Sequence, residues 1–150
     1  MKFYVTLVFA VTFLAFGCSK ESCAEEKGLI SMDQYIADNN LTVEDGDLGM
    51  RYIIVEPGGA AKPMPTAEVM VRYEGRQTND EIFDQTVDDP RRFRLDRLIR
   101  GWQLGIALLG EGGKITLFLP SSLAYGPSGI GEICPNSELI FDVELVSFIN

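Results

Sequence analysis

Histidine is absent from this 150-residue chain. Histidine is the side chain that usually exchanges protons near neutral pH, completes serine and cysteine triads, and ligates metals. Its absence argues against hydrolases of the triad type and against most metal sites. The three cysteines, Cys18, Cys23 and Cys134, also lack the spacing of a metal-binding motif, so we expect neither a metal nor another cofactor.

Basic residues are scarce as well, with 13 against 22 acidic residues and a net charge of −9 at pH 7. An acidic surface repels a phosphate backbone, and the sequence has no basic stripe with interleaved aromatic residues. We therefore expect no nucleic-acid partner. Hydrophobic residues make up 46% of the chain, which is enough for one sizeable core in a single domain with a short extension.

The long uncharged run at residues 3–16 follows Lys2 and is too short to span a bilayer as a stable helix. We predict a signal peptide over residues 1–17. The run from Leu14 to Cys18 resembles a bacterial lipoprotein signal in which Cys18 is lipidated, although Phe16 stands where a small residue is usual. The alternative is a secretory signal cleaved near Gly17 without a lipid. Both predict export to the cell envelope, and the first predicts membrane attachment through the lipid only, facing the periplasm or the cell surface.

Residues 18–49 are predicted to form a polar tether and one short helix. The tether, Ser19 to Lys27, is charged and without periodicity. The helix begins after Ser31, whose pairing with Gln34 is typical of a capping box, and it ends at Asn39-Asn40. One such helix is too short to hold a dimer, so we expect a monomer. Cys23 and Cys134 could pair as a disulfide, but their positions in the sequence do not establish it.

Residues 50–150 alternate between apolar and polar residues in several short runs, which is typical of strands with one buried face. The clearest runs are 69–74, 114–119 and 139–149, and the segment from Gly101 to Leu109 instead has a helical stripe. These patterns predict an α+β fold, an antiparallel sheet with one helix across one face.

Seven runs within this region occur in a characteristic order: Tyr73-Glu74-Gly75, Ile82-Phe83-Asp84, Phe93-Arg94-Leu95, Ile99-Arg100-Gly101-Trp102, Leu123-Ala124-Tyr125-Gly126, Pro135-Asn136-Ser137 and Leu139-Ile140-Phe141-Asp142-Val143-Glu144-Leu145. Together they resemble the FKBP-type peptidyl-prolyl isomerase family over residues 50–150. The resemblance implies an antiparallel half-barrel sheet wrapped around one short central helix. It also implies cis/trans isomerisation of X-Pro bonds in polypeptides, and macrolides as inhibitors.

Such a reaction fits a chain without histidine, because rotation about an X-Pro bond makes and breaks no covalent bond. The planar amide must pass through a twisted state about 18–20 kcal/mol higher. The twisted state has less charge separation, so a poorly hydrated pocket should favour it over the planar form.

The resemblance assigns a role to each matching position. The catalytic group is predicted to comprise Asp84, Tyr125, Trp102 and Phe83, with Trp102 as the pocket floor and the Tyr125 hydroxyl as a donor to a peptide carbonyl. The substrate-binding group is predicted to comprise Tyr73, Phe93, Leu98, Ile99, Ile133 and Phe141. The backbone N–H of Ile99, just before the helix, is a second candidate donor.

Four of these residues, taken alone, also have a purely structural interpretation. Tyr73, Phe93 and Phe141 could be core aromatic residues, and Asp84 could be a solvated carboxylate in a turn. Two loops also depart from the family pattern, residues 84–93 and 127–135, both shortened, and Cys134 stands where a proline is frequent. These departures leave two alternatives to the isomerase. One is a module of the same fold that binds polypeptides without turnover, and the other is a lipoprotein that binds a small molecule.

Overall fold

The computed structural model describes residues 22–150. Its elements are, in chain order, α1 (Cys23–Glu26), α2 (Met32–Asp38), β1 (Glu44–Asp45), β2 (Arg51–Glu56), β3 (Glu68–Gln77), β4 (Ile82–Gln85), β5 (Arg91–Arg94), α3 (Arg100–Ile106), β6 (Gly113–Leu119) and β7 (Leu139–Ile149). Short 3₁₀ turns lie at 47–49, 95–97, 121–123 and 126–128. The strands and the helix predicted from residue 50 onward are all present.

The strands form a single antiparallel sheet in the order β1-β2-β6-β7-β3-β4, and β5 pairs with residues 68–71 of β3. The long strands β3, β6 and β7 form its centre, and β5 continues the sheet where β4 does not reach. The predicted α+β half-barrel around one short helix is thereby confirmed.

Helix α3 packs directly on the inner face of the sheet because two of its residues lack a side chain. A Cβ atom at Gly101 or Gly105 would overlap the side chains of Leu119 and Leu117, respectively. The helix therefore lies unusually close to β6, and Trp102 and Ile106 enter the main core. This close approach fixes the position of the tryptophan that the sequence placed at the functional site.

Helix α2 covers part of the opposite, outer face of the sheet. Met32 and Tyr35 pack there against Phe118 of β6 and Ile140 of β7, forming a second, smaller core. Ser31 caps the helix by accepting a hydrogen bond from the Gln34 N–H at 3.3 Å. The predicted capping box is incomplete, because the Gln34 side chain donates to Asp38 instead of returning to the cap.

The described part of the predicted tether is ordered rather than irregular. Residues 23–26 form helix α1, which has a complete capping box between Ser22 and Glu25. Cys23 is joined to Cys134 by a disulfide, with the two Cα atoms 5.8 Å apart. The prediction of a tether without periodicity overlooked this capping box, whose serine and glutamate stand three residues apart in the sequence.

The predicted signal peptide and Cys18 lie outside the described residues. Within residues 22–150, none of the helices has the length and apolar character needed to cross a membrane.

Candidate active site

A pocket of about 140 Å³ opens between α3 and the inner face of the sheet. Its lining contains eight of the ten predicted site residues, namely Tyr73, Asp84, Phe93, Leu98, Ile99, Trp102, Tyr125 and Phe141. The remaining two, Phe83 and Ile133, line an adjoining recess of about 290 Å³ that also contacts Asp84 and Tyr125. The structure thus brings together residues that are up to 68 positions apart between Tyr73 and Phe141.

Trp102 is the most enclosed of these aromatic side chains and is held from several sides. Its ring meets those of Tyr73, Phe93 and Phe141 edge to face, with centroids 5.0, 6.2 and 5.4 Å away. Only 4% of Trp102 is exposed, yet the residue lines the open pocket. Perpendicular neighbours leave little freedom for the indole to tilt. Trp102 is therefore a fixed surface at the base of an accessible hollow.

The polar edge of the pocket is a network of three side chains. The Tyr73 hydroxyl donates a 2.5 Å hydrogen bond to Asp84, and the Arg91 guanidinium donates to Asp84 at 3.1 Å and to the Tyr73 hydroxyl at 2.7 Å. Burial, and secondarily the hydrogen bond to Asp84, raises the pKa of Tyr73 to about 12. Tyr73 consequently stays protonated and orients the carboxylate, while Arg91 balances its charge.

Sequence reasoning missed Arg91 as a site residue. Arg91 pairs with Val71 of β3 and also places its guanidinium 5.6 Å from the centre of the Tyr73 ring. The sequence did carry a signal for Arg91. Residues two apart on a strand share a face, and Arg91 precedes the predicted pocket residue Phe93 by two.

The Tyr125 hydroxyl and the backbone N–H of Ile99, at the N-cap of α3, are pocket donors without an acceptor among residues 22–150. The indole N–H of Trp102 also has none, but it is buried. Burial, and to a smaller extent the charge of Asp84, raises the pKa of Tyr125, so its hydroxyl keeps its proton. The turn before α3 is held by the Gln103 side chain, which donates to the Leu98 carbonyl at 2.8 Å. An apolar ligand that carries carbonyl groups would satisfy both donors.

Comparison with known proteins supports the FKBP-type family to which the sequence runs pointed. The family model described as "FKBP-type peptidyl-prolyl cis-trans isomerase" matches residues 59–146, more than half of the chain. The chain belongs to this FKBP family. The matched segment contains every predicted pocket residue, from Tyr73 to Phe141.

Several curated FKBP-type relatives are similar over most of the chain. The isomerase FkpA of Aeromonas hydrophila is 40% identical over 119 residues, which are 77% of this chain and 44% of that protein. The probable isomerase FkpA of Neisseria meningitidis is 42% identical over 101 residues, 65% of this chain and 37% of that protein. The chain therefore spans less than half the length of these relatives.

Solved FKBP structures share the fold. The crystal structure of FkpA from Escherichia coli superposes with a TM-score of 0.72 at 38% identity, covering 83% of this chain and 58% of that one. A peptidyl-prolyl isomerase from Pseudomonas syringae gives 0.71 at 31% identity, covering 85% and 94%. The resemblance derived from the seven sequence runs is confirmed.

Phe83 of this FKBP domain is set apart from the pocket floor. Its ring meets Phe141 edge to face at 5.5 Å, and it faces the recess formed with residues 130–133. Space for both rings exists because residue 75 is glycine: a Cβ there would stand 2.7 Å from Phe83 and 2.8 Å from Phe141. Phe83 thus contributes to the wall between pocket and recess rather than to the pocket itself.

Proposed function

We propose that this chain is a peptidyl-prolyl cis-trans isomerase that acts on proline-containing polypeptides. The observation that carries the proposal is the open pocket above Trp102, walled by Tyr73, Phe93 and Phe141. A flat, fixed aromatic floor suits the apolar pyrrolidine ring of proline. Membership of the FKBP family supports the same reaction.

The residues of the pocket can lower the isomerisation barrier without forming a covalent bond. The aromatic walls exclude water from the imide carbonyl, and water is what stabilises the planar form. The free donors on Ile99 and Tyr125 can hold the flanking carbonyls in a bent chain. Each ~1.4 kcal/mol of preference for the twisted state shortens the isomerisation time tenfold.

Asp84 acts on the bound peptide through its charge and does not transfer a proton. Its carboxylate is already hydrogen-bonded to Tyr73 and paired with Arg91. A carboxylate held in this way keeps a fixed position beside the pocket, where it can orient the dipole of the bound imide.

Refolding of a protein whose slow phase is limited by an X-Pro bond tests the proposed activity. The purified chain should accelerate that phase, and the variant Trp102→Leu should lose most of the acceleration because the floor for the proline ring is gone. Asp33→Asn, a change on α2 outside the pocket, is the matched control and should retain it. No acceleration by the unaltered chain would refute the activity.

We further infer that the protein is exported and attached to a membrane of the cell envelope by a lipid on Cys18. The support is the lipoprotein-like run ending at Cys18, the disulfide typical of oxidising compartments, and a relative named outer membrane protein MIP of Legionella longbeachae, 36% identical over 102 residues. Cells given radiolabelled fatty acid should label the protein, and Cys18→Ser should abolish the label. An unlabelled but exported protein would favour the secretory signal without a lipid.

The remaining partner assignments follow from the pocket and from the short α2 helix. A macrolide inhibitor of the FKBP family should compete with proline peptides, because it would fill the space above Trp102. The chain should sediment as a monomer, because the apolar face of α2 packs against its own sheet and is not available to a second copy. Titration of Trp102 fluorescence and sedimentation equilibrium check these two expectations.

A binding module without turnover is the second candidate, favoured by the altered loop at residues 127–135. That loop stands between two hollows, one of which adjoins the pocket, and could accept a polypeptide without twisting it. Suppressing the aggregation of a client that has no slow prolines, together with absent peptide turnover, would identify this function.

A further inference from the structure

The loop that borders the pocket, residues 126–135, is connected to the rest of the domain by few interactions. It is flanked by hollows on both sides, the recess of about 290 Å³ toward Phe83 and another of about 450 Å³ toward Cys23 and Lys27. Residues 130–133 line both hollows. The loop is therefore a thin wall rather than a packed layer.

The hydrogen bonds of this loop run within itself. Ile130 and Ile133 exchange backbone bonds of 3.2 and 2.9 Å, and the Asn136 N–H donates to the Gly126 carbonyl at 3.0 Å. Over the part of the chain that the structure describes, no hydrogen bond joins residues 127–135 to another element. The tight bend depends on Gly129, at a φ of 60°, where a Cβ would overlap the Ile133 carbonyl.

Two features hold this wall against the domain. Ile133 packs into the main core, and the buried Cys134 is bonded to Cys23. Apart from the backbone, the disulfide is the one covalent link between the loop and another part of the described chain, and both of its cysteines line the larger hollow.

Cys23, at the other end of the disulfide, belongs to a segment that is held to the sheet by hydrogen bonds. Helix α1, which carries Cys23, is followed by residues that hydrogen-bond to the turn between β3 and β4: the Asn79 side chain donates to the Lys27 carbonyl at 2.9 Å, and Ile30 and Thr78 exchange bonds of 3.1 and 2.8 Å. Lys27 also pairs with Glu81 at 3.3 Å. Cys23 is thus an anchor on the sheet, and Cys134 is the attached point of the wall.

We propose that the Cys23–Cys134 disulfide positions the loop 126–135 as a wall of the peptide site, so that the N-terminal extension sets the affinity of the pocket for polypeptide substrates. The two cysteines are positioning residues, since they act through Ile133 and its neighbours. The proposal rests on the proposed isomerase function. Opening the bond removes one of the two attachments of the wall, which loosens it, and leaves Trp102 and the sheet in place.

The bond can be opened with a small dithiol. The reagent transfers two electrons and two protons, the S–S bond breaks to give thiols on Cys23 and Cys134, and the dithiol closes to its own disulfide. Cys23 is exposed, and the hollow beside the bond gives the reagent access.

The experiment measures steady-state isomerisation of a proline peptide by the oxidised and the reduced full chain. We expect KM to rise at least about fivefold with kcat within about twofold, because uniform binding is lost while the floor that favours the twisted state remains. Cys23→Ser should reproduce the reduced protein and respond no further to the dithiol. Asp33→Asn, which breaks only the ion pair with Arg51, is the matched control and should behave as the unaltered chain.

Hydrogen exchange supplies the structural readout. On reduction, amides of residues 129–134 should exchange faster while those of β3 and β7 keep their protection. Unchanged KM after complete reduction would overturn the proposal, and so would unfolding of the whole domain, since the sheet is required to survive. If the oxidised chain has no activity, the proposed function fails instead, and peptide affinity read from Trp102 fluorescence then decides the role of the disulfide.

Discussion

The Tyr73 hydroxyl donates a 2.5 Å hydrogen bond to the Asp84 carboxylate across the edge of the pocket. Tyr73 is 7% exposed, and its ring also forms part of the aromatic enclosure around Trp102. One side chain therefore joins the apolar floor to the charged rim. Its ionisation can be followed directly.

Tyr73 is expected to titrate at a pKa of about 12 in the folded protein, against 10.0 for an ordinary tyrosine. Burial is the main cause and Asp84 the second. Asp84→Asn should therefore lower this pKa only part of the way toward 10. Ultraviolet titration of the two proteins, each compared with its Tyr73→Phe version, checks this expectation. A pKa at or below 10 in Asp84→Asn would mean that burial is not the main cause.

The same shift predicts how stability depends on alkaline pH. Because the folded pKa is raised, the unfolded chain loses the Tyr73 proton first as pH rises from 10 to 12. The contribution of Tyr73 to the free energy of unfolding is fully present below pH 10 and is lost as pH passes 12. Urea unfolding at pH 9 and pH 11 should show a smaller loss in Tyr73→Phe than in the unaltered chain. Equal losses would contradict this linkage.

Gly105→Ala should destabilise the protein although alanine favours helices. The added methyl would overlap Leu117 at the closest approach of α3 to β6. Overpacking of this kind costs about 1–3 kcal/mol, more than the ~1 kcal/mol gained in helix propensity. Chemical denaturation measures the change. Arg100→Ala, at an exposed position of the same helix, is the control and should leave the free energy of unfolding nearly unaltered.

Met32→Ala should separate stability from function. Met32 is 2% exposed on the outer face of the sheet, where it contacts the small core of Phe118 and Ile140. Removing most of its side chain should cost roughly 2–5 kcal/mol of unfolding free energy. The peptide KM should not change, because the pocket lies on the inner face. The exposed neighbour Gln34→Ala is the control, and a raised KM in Met32→Ala would show that the two faces are coupled.

The sheet was predictable because its strands carry a local signal. The alternation of apolar and polar residues in 69–74 and 139–149 predicts which side chains face inward, and burial along β3 and β7 follows that alternation. The position of Trp102 came from the order of the family runs and from the stripe on α3. These features depend on neighbours in the sequence or on a shared pattern.

The contacts that escaped prediction depend on geometry between distant strands. The ion pair of Arg91 with Asp84 requires β5 and β4 to flank the same strand, β3, which no local pattern states. The Cys23–Cys134 disulfide, which the sequence left open, spans 111 residues, and residues 27–30, which follow Cys23, hydrogen-bond to the β3–β4 turn. Phe83 was predicted as part of the catalytic group, and the structure places its ring against Phe141 and beside the adjoining recess, in the space that Gly75 leaves open.

The hollow above Trp102 is expected to favour a twisted X-Pro bond. Exchange between the cis and trans signals of a short proline peptide, measured by NMR without any coupled protease, tests it most directly. Catalytic amounts of the chain should bring the exchange time from tens of seconds to below about one second, and Trp102→Leu should restore slow exchange. Exchange that stays slow while the peptide visibly binds would contradict the account.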